Sequence, residues 1–147
     1  MKYHFIKALT VFLLLTNCSL NNNNKDESRE ITVVFWHLTN TTGGLAGVDN
    51  QFSQDTVVWN FNDVNGTLNV QNRNTDDTKQ SGLESGLFNF SLIAKGSEDF
   101  LVVNGNELGK ITVEDSTFIL NENHTSQGEI ADGFIYTFKK VTQIIEI

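Results

Sequence analysis

Residues 56–71 read T-V-V-W-N-F-N-D-V-N-G-T-L-N-V-Q, and this stretch decides the fold. Val57, Trp59 and Phe61 alternate with Val58, Asn60 and Asn62, Asp63-Val64-Asn65-Gly66 supplies turn chemistry, and Leu68 and Val70 then alternate back. Period two on both sides of a turn predicts a β-hairpin pairing Thr56–Asn62 with Thr67–Gln71.

The same period continues outward in both directions. Upstream, Ile31–Thr39 (ITVVFWHLT) is dense in β-branched and aromatic residues and predicts a strand buried on both faces or nearly so. Between them, Asn40–Asp55 is polar and glycine-rich and predicts a loop over one end of the fold. Downstream, a polar stretch Asn72–Glu84 leads to Gly86–Ala94, with Phe88, Phe90 and Leu92 on one face, and then to Phe100–Val103 before Asn104-Gly105. Gly109–Glu114 and Thr117–Asn121 flank another turn, and Gly133–Lys140 aligns Phe134, Tyr136 and Phe138.

Eight strands, turn signals about every eight to twelve residues and no long helical period predict an all-β protein, an antiparallel up-and-down β-barrel of about eight strands. Closure is favoured because an open sheet leaves apolar edges that this proline-free chain has no means of blunting. An eight-stranded barrel is just wide enough to be filled by side chains or to hold one small ligand. The tail Val141–Ile147 is apolar enough to extend the last strand, and the sequence leaves open whether it pairs with the first.

Composition narrows the partners. At 147 residues the chain suits one domain, and 10 basic against 18 acidic side chains give a net charge of -8, which repels phosphate backbones and excludes nucleic acid as a favoured partner. The one cysteine, Cys18, cannot form an internal disulfide or a thiol-ligated metal cluster. With no proline where average usage gives roughly seven, turns must come from glycine, asparagine and aspartate.

The leader MKYHFIKALTVFLLLTNC has a positive start at Lys2 and Lys7 and an apolar run, Ala8–Leu15, too short to span a bilayer. Leu15-Thr16-Asn17-Cys18 resembles a bacterial lipobox, with Asn17 where a smaller residue is usual. The resemblance implies a signal peptide at 1–17, lipidation of Cys18, and a membrane as partner through that lipid. Residues 18–30 then form a flexible tether and 31–147 the barrel domain. Lys2 and Lys7 leave with the leader and no acid does, so eight basic residues face the same 18 acids and the charge falls to -10.

Trp36-His37-Leu38, the Gly43-Gly44 to Gly47-Val48 segment, Val57–Phe61, Asn104-Gly105, Gly109–Val113 and Asp132–Lys139 together resemble the small lipocalin-like lipoproteins of Bacteroidetes. The resemblance implies a lipocalin-like barrel in the cell envelope, anchored at the outer membrane, with carriage of a small apolar ligand as a habit of the fold. It also implies a basic residue, Lys139 or Lys140, over Trp36. Val34 stands where that pattern has glycine, and a mid-chain Thr-Asp-Tyr is missing.

Sites for chemistry are sparse. His37 and His124 have no histidine at ligand spacing, and Ser97 beside Glu98 and Asp99 has no neighbouring histidine. The acid pairs Asp76-Asp77, Glu98-Asp99 and Glu114-Asp115 fall in predicted turns, and Gly43–Gly47 lacks the lysine of a phosphate loop. The expectation is a protein that is not an enzyme and uses no metal or cofactor.

The aromatics carry the binding argument. Trp36, Trp59, Phe61, Phe88, Phe90, Phe100, Phe118, Phe134, Tyr136 and Phe138 all fall on inward-facing positions, enough to fill most of a small barrel. A ligand then sits at a mouth beneath Gly43–Phe52. Trp36 and Trp59 are its first walls, with Phe61, Phe88, Phe90 and Tyr136 completing the candidate ligand-binding set. The alternative is a protein-interaction or inhibitor module of the envelope with a filled core and no ligand.

Overall fold

A computed structural model describes residues 30–146. The period-two segments become eleven strands: β1 (Glu30–Gly43), β2 (Val48–Gln51), β3 (Val57–Asn62), β4 (Thr67–Asn72), β5 (Gly86–Lys95), β6 (Glu98–Val103), β7 (Asn106–Glu114), β8 (Thr117–Asn121), β9 (His124–Thr125), β10 (Gly128–Glu129) and β11 (Phe134–Glu146). Hydrogen-bonded order runs β11-β8-β7-β6-β5-β4-β3-β1, and β11 pairs back onto β1, so eight antiparallel strands close an up-and-down barrel. β2 is an extra strand on β1, and β9 with β10 forms a separate ribbon.

The quoted hairpin forms as expected, with Trp59 opposite Val70 and Phe61 opposite Leu68. Asn104 (φ 49°) and Gly105 (φ 81°) are both left-handed, as a two-residue turn matching strand twist requires. The tail question also resolves. Val141–Glu146 pairs with Glu30–Phe35 and so extends the β1–β11 pairing, the longest among the described residues.

Two details differ from the sequence reading. Asn40–Asp55 is only partly loop, because β1 runs on to Gly43 and turns into β2, with Thr42 opposite Asp49. A bulge at Thr39 allows this by inserting one unpaired residue, whose hydroxyl donates to the Thr137 carbonyl. Beyond it Thr41 is fully buried, while Asn40 donates outward to Asp49 and the Asn50 carbonyl. Polar composition hid a strand whose partners are themselves polar.

Phe100 is the second difference. Leu101 and Val103 of β6 enter the core, so Phe100 faces out of the barrel, yet it is buried. Glu107 accepts from Ser126 through both carboxylate oxygens, and Lys95 donates to the Ser126 carbonyl. The segment carrying β9 and β10 is thereby held against the β5 and β7 strands on this outer wall.

A bulge in β7 helps curve the sheet. Leu101 pairs with Gly109 but Val102 with Glu107, and Gly109 sits at φ 151° where a Cβ would run into the Asn121 carbonyl.

Candidate functional site

The strand register sorts the inward side chains by height as well as by face. At mid-height Trp59 lies with its ring centroid 4.8 Å from Phe138 and 6.2 Å from Phe118, and Phe118 is 5.2 Å from Phe138. These rings, with Leu38, Leu68 and Val70, plug the lumen. What remains is a recess at each end.

One end is open and apolar. A recess of about 180 Å³ is lined by Trp36, Phe61, Phe90, Leu92, Ile111 and Phe118, with Asp63 of the β3–β4 turn at its lip. Phe61 meets Phe90 edge to face at 5.0 Å, and Trp36 stands 5.6 Å from Phe118. Leu92 and Val113 at its rim are exposed, and among the described residues no segment crosses it. The β1–β11 ribbon continues past this end to Glu30 and Glu146.

The other end is strapped and polar. Residues 73–85 fold across it because short polar side chains shape the path: Asp76 N–H donates to Asn74 and Thr78 N–H to Asp76. The Thr78 hydroxyl and amide hold the Asp76 carboxyl below its usual range. Gln80 N–H donates to Asn50, Lys79 donates to the Gln51 carbonyl while lying over the Phe52 ring, and Asn72 donates to the Leu83 carbonyl. Gly82 is left-handed (φ 80°), and a Cβ there would come within 3.3 Å of the Tyr136 ring.

Beneath the strap lies a cavity of about 120 Å³ bounded by Trp59, Gln80, Leu83, Leu108, Glu122 and Tyr136. Gln80 donates to the Tyr136 hydroxyl at 3.1 Å, and Glu122 accepts the Phe134 N–H at 3.0 Å. Burial pushes the Tyr136 phenol up to about 12, opposed by the Gln80 hydrogen bond and reinforced by the nearby Glu122 carboxylate. Burial likewise raises Glu122, against the lowering effect of the Phe134 N–H and the Tyr136 hydroxyl.

The residues expected to form one site are therefore divided. Trp36, Phe61 and Phe90 meet at the open end, whereas Trp59 and Tyr136 border the strapped cavity. Trp36 is not a wall of the mouth beneath Gly43–Phe52: it stands at mid-strand in β1, opposite Trp59, and borders the apolar recess of the other end. Phe88 packs half-buried against the core and borders neither recess. Lys140 is the register partner of Trp36, but the cation seated over a ring among the described residues is Lys79 over Phe52. Cys18 and the expected leader lie outside the described residues.

Sequence spacing gave no sign of acids near the histidines, and the structure places one beside each. His37, buried on the outer wall, has Nδ1 3.0 Å from Asp55 Oδ1, and His124 Nδ1 is 3.7 Å from Glu129. His37 Nδ1 makes no hydrogen bond among the described residues. The shallow recess there is lined by Phe35, Asp55, Val58, Gln71, Arg73 and Gln143 besides the histidine, a set with no hydroxyl or thiol nucleophile. Among the described residues no three metal-ligating side chains converge.

Sequence reasoning missed Gln80 and Glu122. A signal for Glu122 existed, since it continues the inward period of Phe118 and Leu120 beyond the end of β8. Comparison of the chain with protein-family models, curated proteins and solved structures yields no match.

Proposed function

We propose that this protein is a lipid-anchored envelope lipoprotein, lipocalin-like in build, whose barrel binds a small hydrophobic ligand at its open end and performs no catalysis. The observation that supports the reading is the aromatic recess of about 180 Å³, crossed by no segment among the described residues, beside a plugged lumen. That volume is below the roughly 300–1,000 Å³ of sites enclosing drug-sized ligands. It suits the end of an acyl chain or a single ring, with any polar head left in water near Asp63.

β1 approaches the barrel from the open end, so a tether from a lipidated Cys18 reaches the domain on the same side as the recess. Several acyl chains on that cysteine, at roughly 0.8 kcal/mol per buried methylene, would hold the protein at the outer membrane without a spanning segment.

Native mass spectrometry of the mature protein against a panel of fatty acids and lysolipids tests the binding claim. One-to-one adducts that Phe61→Asp removes support it. Absence of adducts across the panel would leave the protein-interaction reading, which the exposed Val64, Leu92 and Val113 around the same end favour. For the anchor, Cys18→Ser is expected to move the protein from the membrane to the soluble fraction, and retention in membranes would refute it.

A further inference from the structure

We infer that the free edge of β11 is a docking surface for a second copy of this chain, which adds its own β11 antiparallel to make a two-fold dimer. One edge of β11 is paired with β1 throughout, from Phe134 opposite Gly43 to Glu146 opposite Glu30. The other edge is paired with β8 only over Ile135–Lys139, and beyond that the Lys140 N–H donates to the Ser116 carbonyl. Backbone groups of a strand alternate between its two edges, so Thr142, Ile144 and Glu146 direct theirs to the same side as Lys140. No strand among the described residues receives them. Thr142–Glu146 is exposed throughout, with Ile144 at 66% and Ile145 at 44%. An open apolar edge in a chain without proline is a template for another strand.

The residues on the edge choose the occupant. Thr142–Glu146 pairs with the same segment of a second copy when Ile144 lies on the two-fold axis. Ile144 then faces the partner's Ile144, and Thr142 faces the partner's Glu146, all of them residues whose backbone groups point outward. This register stops short of Ser116, which already holds the place beside Lys140. It also answers a charge conflict within the single chain. Glu146 is the register partner of Glu30, and like charges directly opposite are destabilising. Lys140 lies on the same face of β11 and makes no ion pair among the described residues. Across the new pairing it stands diagonal to the partner's Glu146, within reach of a long side chain, so each copy brings a cation to the other's acidic pair. The β1 edge of this ribbon is a poorer template, because Asn60 donates to the Val34 carbonyl and closes it nearer its tip.

Sedimentation velocity of the full mature chain, produced without lipid and kept reduced at Cys18, is expected to show a monomer–dimer equilibrium that shifts with protein concentration. Ile144→Lys, which sets two cations together on the axis, should weaken the dimer at least tenfold. Thr142→Pro should do the same, because the N–H it removes faces the free edge and not β1. Both side chains are exposed, so urea midpoints measured where the parent is monomeric should stay close to the parent's. Lys140→Glu should weaken association, and Lys140→Glu combined with Glu146→Lys should restore it. Lys139→Glu, an equal change of net charge on the opposite face of β11, should leave association largely intact. A monomer at every concentration, a dimer that Ile144→Lys and Thr142→Pro leave unchanged, or no recovery on exchanging the two charges would overturn the proposal.

Discussion

The two ends of this barrel are built from the same strands and solve opposite problems. At the open end an aromatic recess is crossed by no described segment, whereas at the strapped end thirteen residues of loop hung from side-chain hydrogen bonds border a polar recess. Aromatic surface is stable in the open because leaving it wet forgoes hydrophobic stabilisation without orphaning any polar group. Buried amide, phenol and carboxylate groups must be paired, so their end of the barrel is fastened down. One end is thereby suited to apolar contact, and the other to hydrogen-bond recognition.

The largest effect is expected where the ends are kept apart. Trp59→Ala removes the ring packed against Phe61, Phe118 and Phe138 and joins the two recesses. It should destabilise by about 3–5 kcal/mol, read as a lower midpoint in urea unfolding. A loss under about 1 kcal/mol would mean the plug does not separate the ends.

Alkaline titration probes the strapped end alone. Tyr136 has a folded pKa of about 12 against an ordinary 10.0, so the fold favours the neutral phenol. This contribution is fully present below pH 10, disappears as pH rises to 12, and amounts to about 2–3 kcal/mol. Urea midpoints across that range should fall in the parent and stay flatter in Tyr136→Phe. Glu122 is raised too, so its contribution is present below its unfolded pKa and lost as pH rises through the folded value. Glu122→Gln should therefore gain stability relative to the parent at neutral pH, by a modest amount because the carboxylate is half exposed.

At the open end, Phe61→Ala should cost only about 1–3 kcal/mol, because its ring is partly exposed at the recess. It should nevertheless abolish binding of an acyl probe measured by calorimetry. The smallest effect belongs to Val64→Ser at the tip of the β3–β4 turn, expected within about 0.5 kcal/mol of the parent.

Face was legible in the sequence and height was not. Alternation placed Trp36, Trp59, Phe61, Phe118 and Phe138 inside the barrel, because side-chain direction in a strand follows from the residue's parity. Which end each residue occupies depends on strand stagger and on the bulges at Thr39 and Leu108, which are set by the closed sheet as a whole. For that reason parity alone does not show that Trp36 and its register partner Trp59 border different recesses. The Asn104-Gly105 turn was readable because its chemistry is local, whereas pairing of Val141–Glu146 with Glu30–Phe35 joins residues more than a hundred positions apart. β2 and the strap were opaque because Asn, Gln and Asp side chains serve equally as solvated loop and as hydrogen-bonded cover, and only tertiary partners distinguish the two.

The central claim, that the open aromatic end is the ligand site and is separate from the strapped cavity, is tested most directly by single-tryptophan fluorescence. Trp59→Phe leaves Trp36 as the one reporter, at the open end, and Trp36→Phe leaves Trp59, within the plug and bordering the strapped recess. Titration with medium-chain fatty acids is predicted to give a saturating emission change from Trp36 and none from Trp59. A response from Trp59 alone, or none from either across the series, would contradict it.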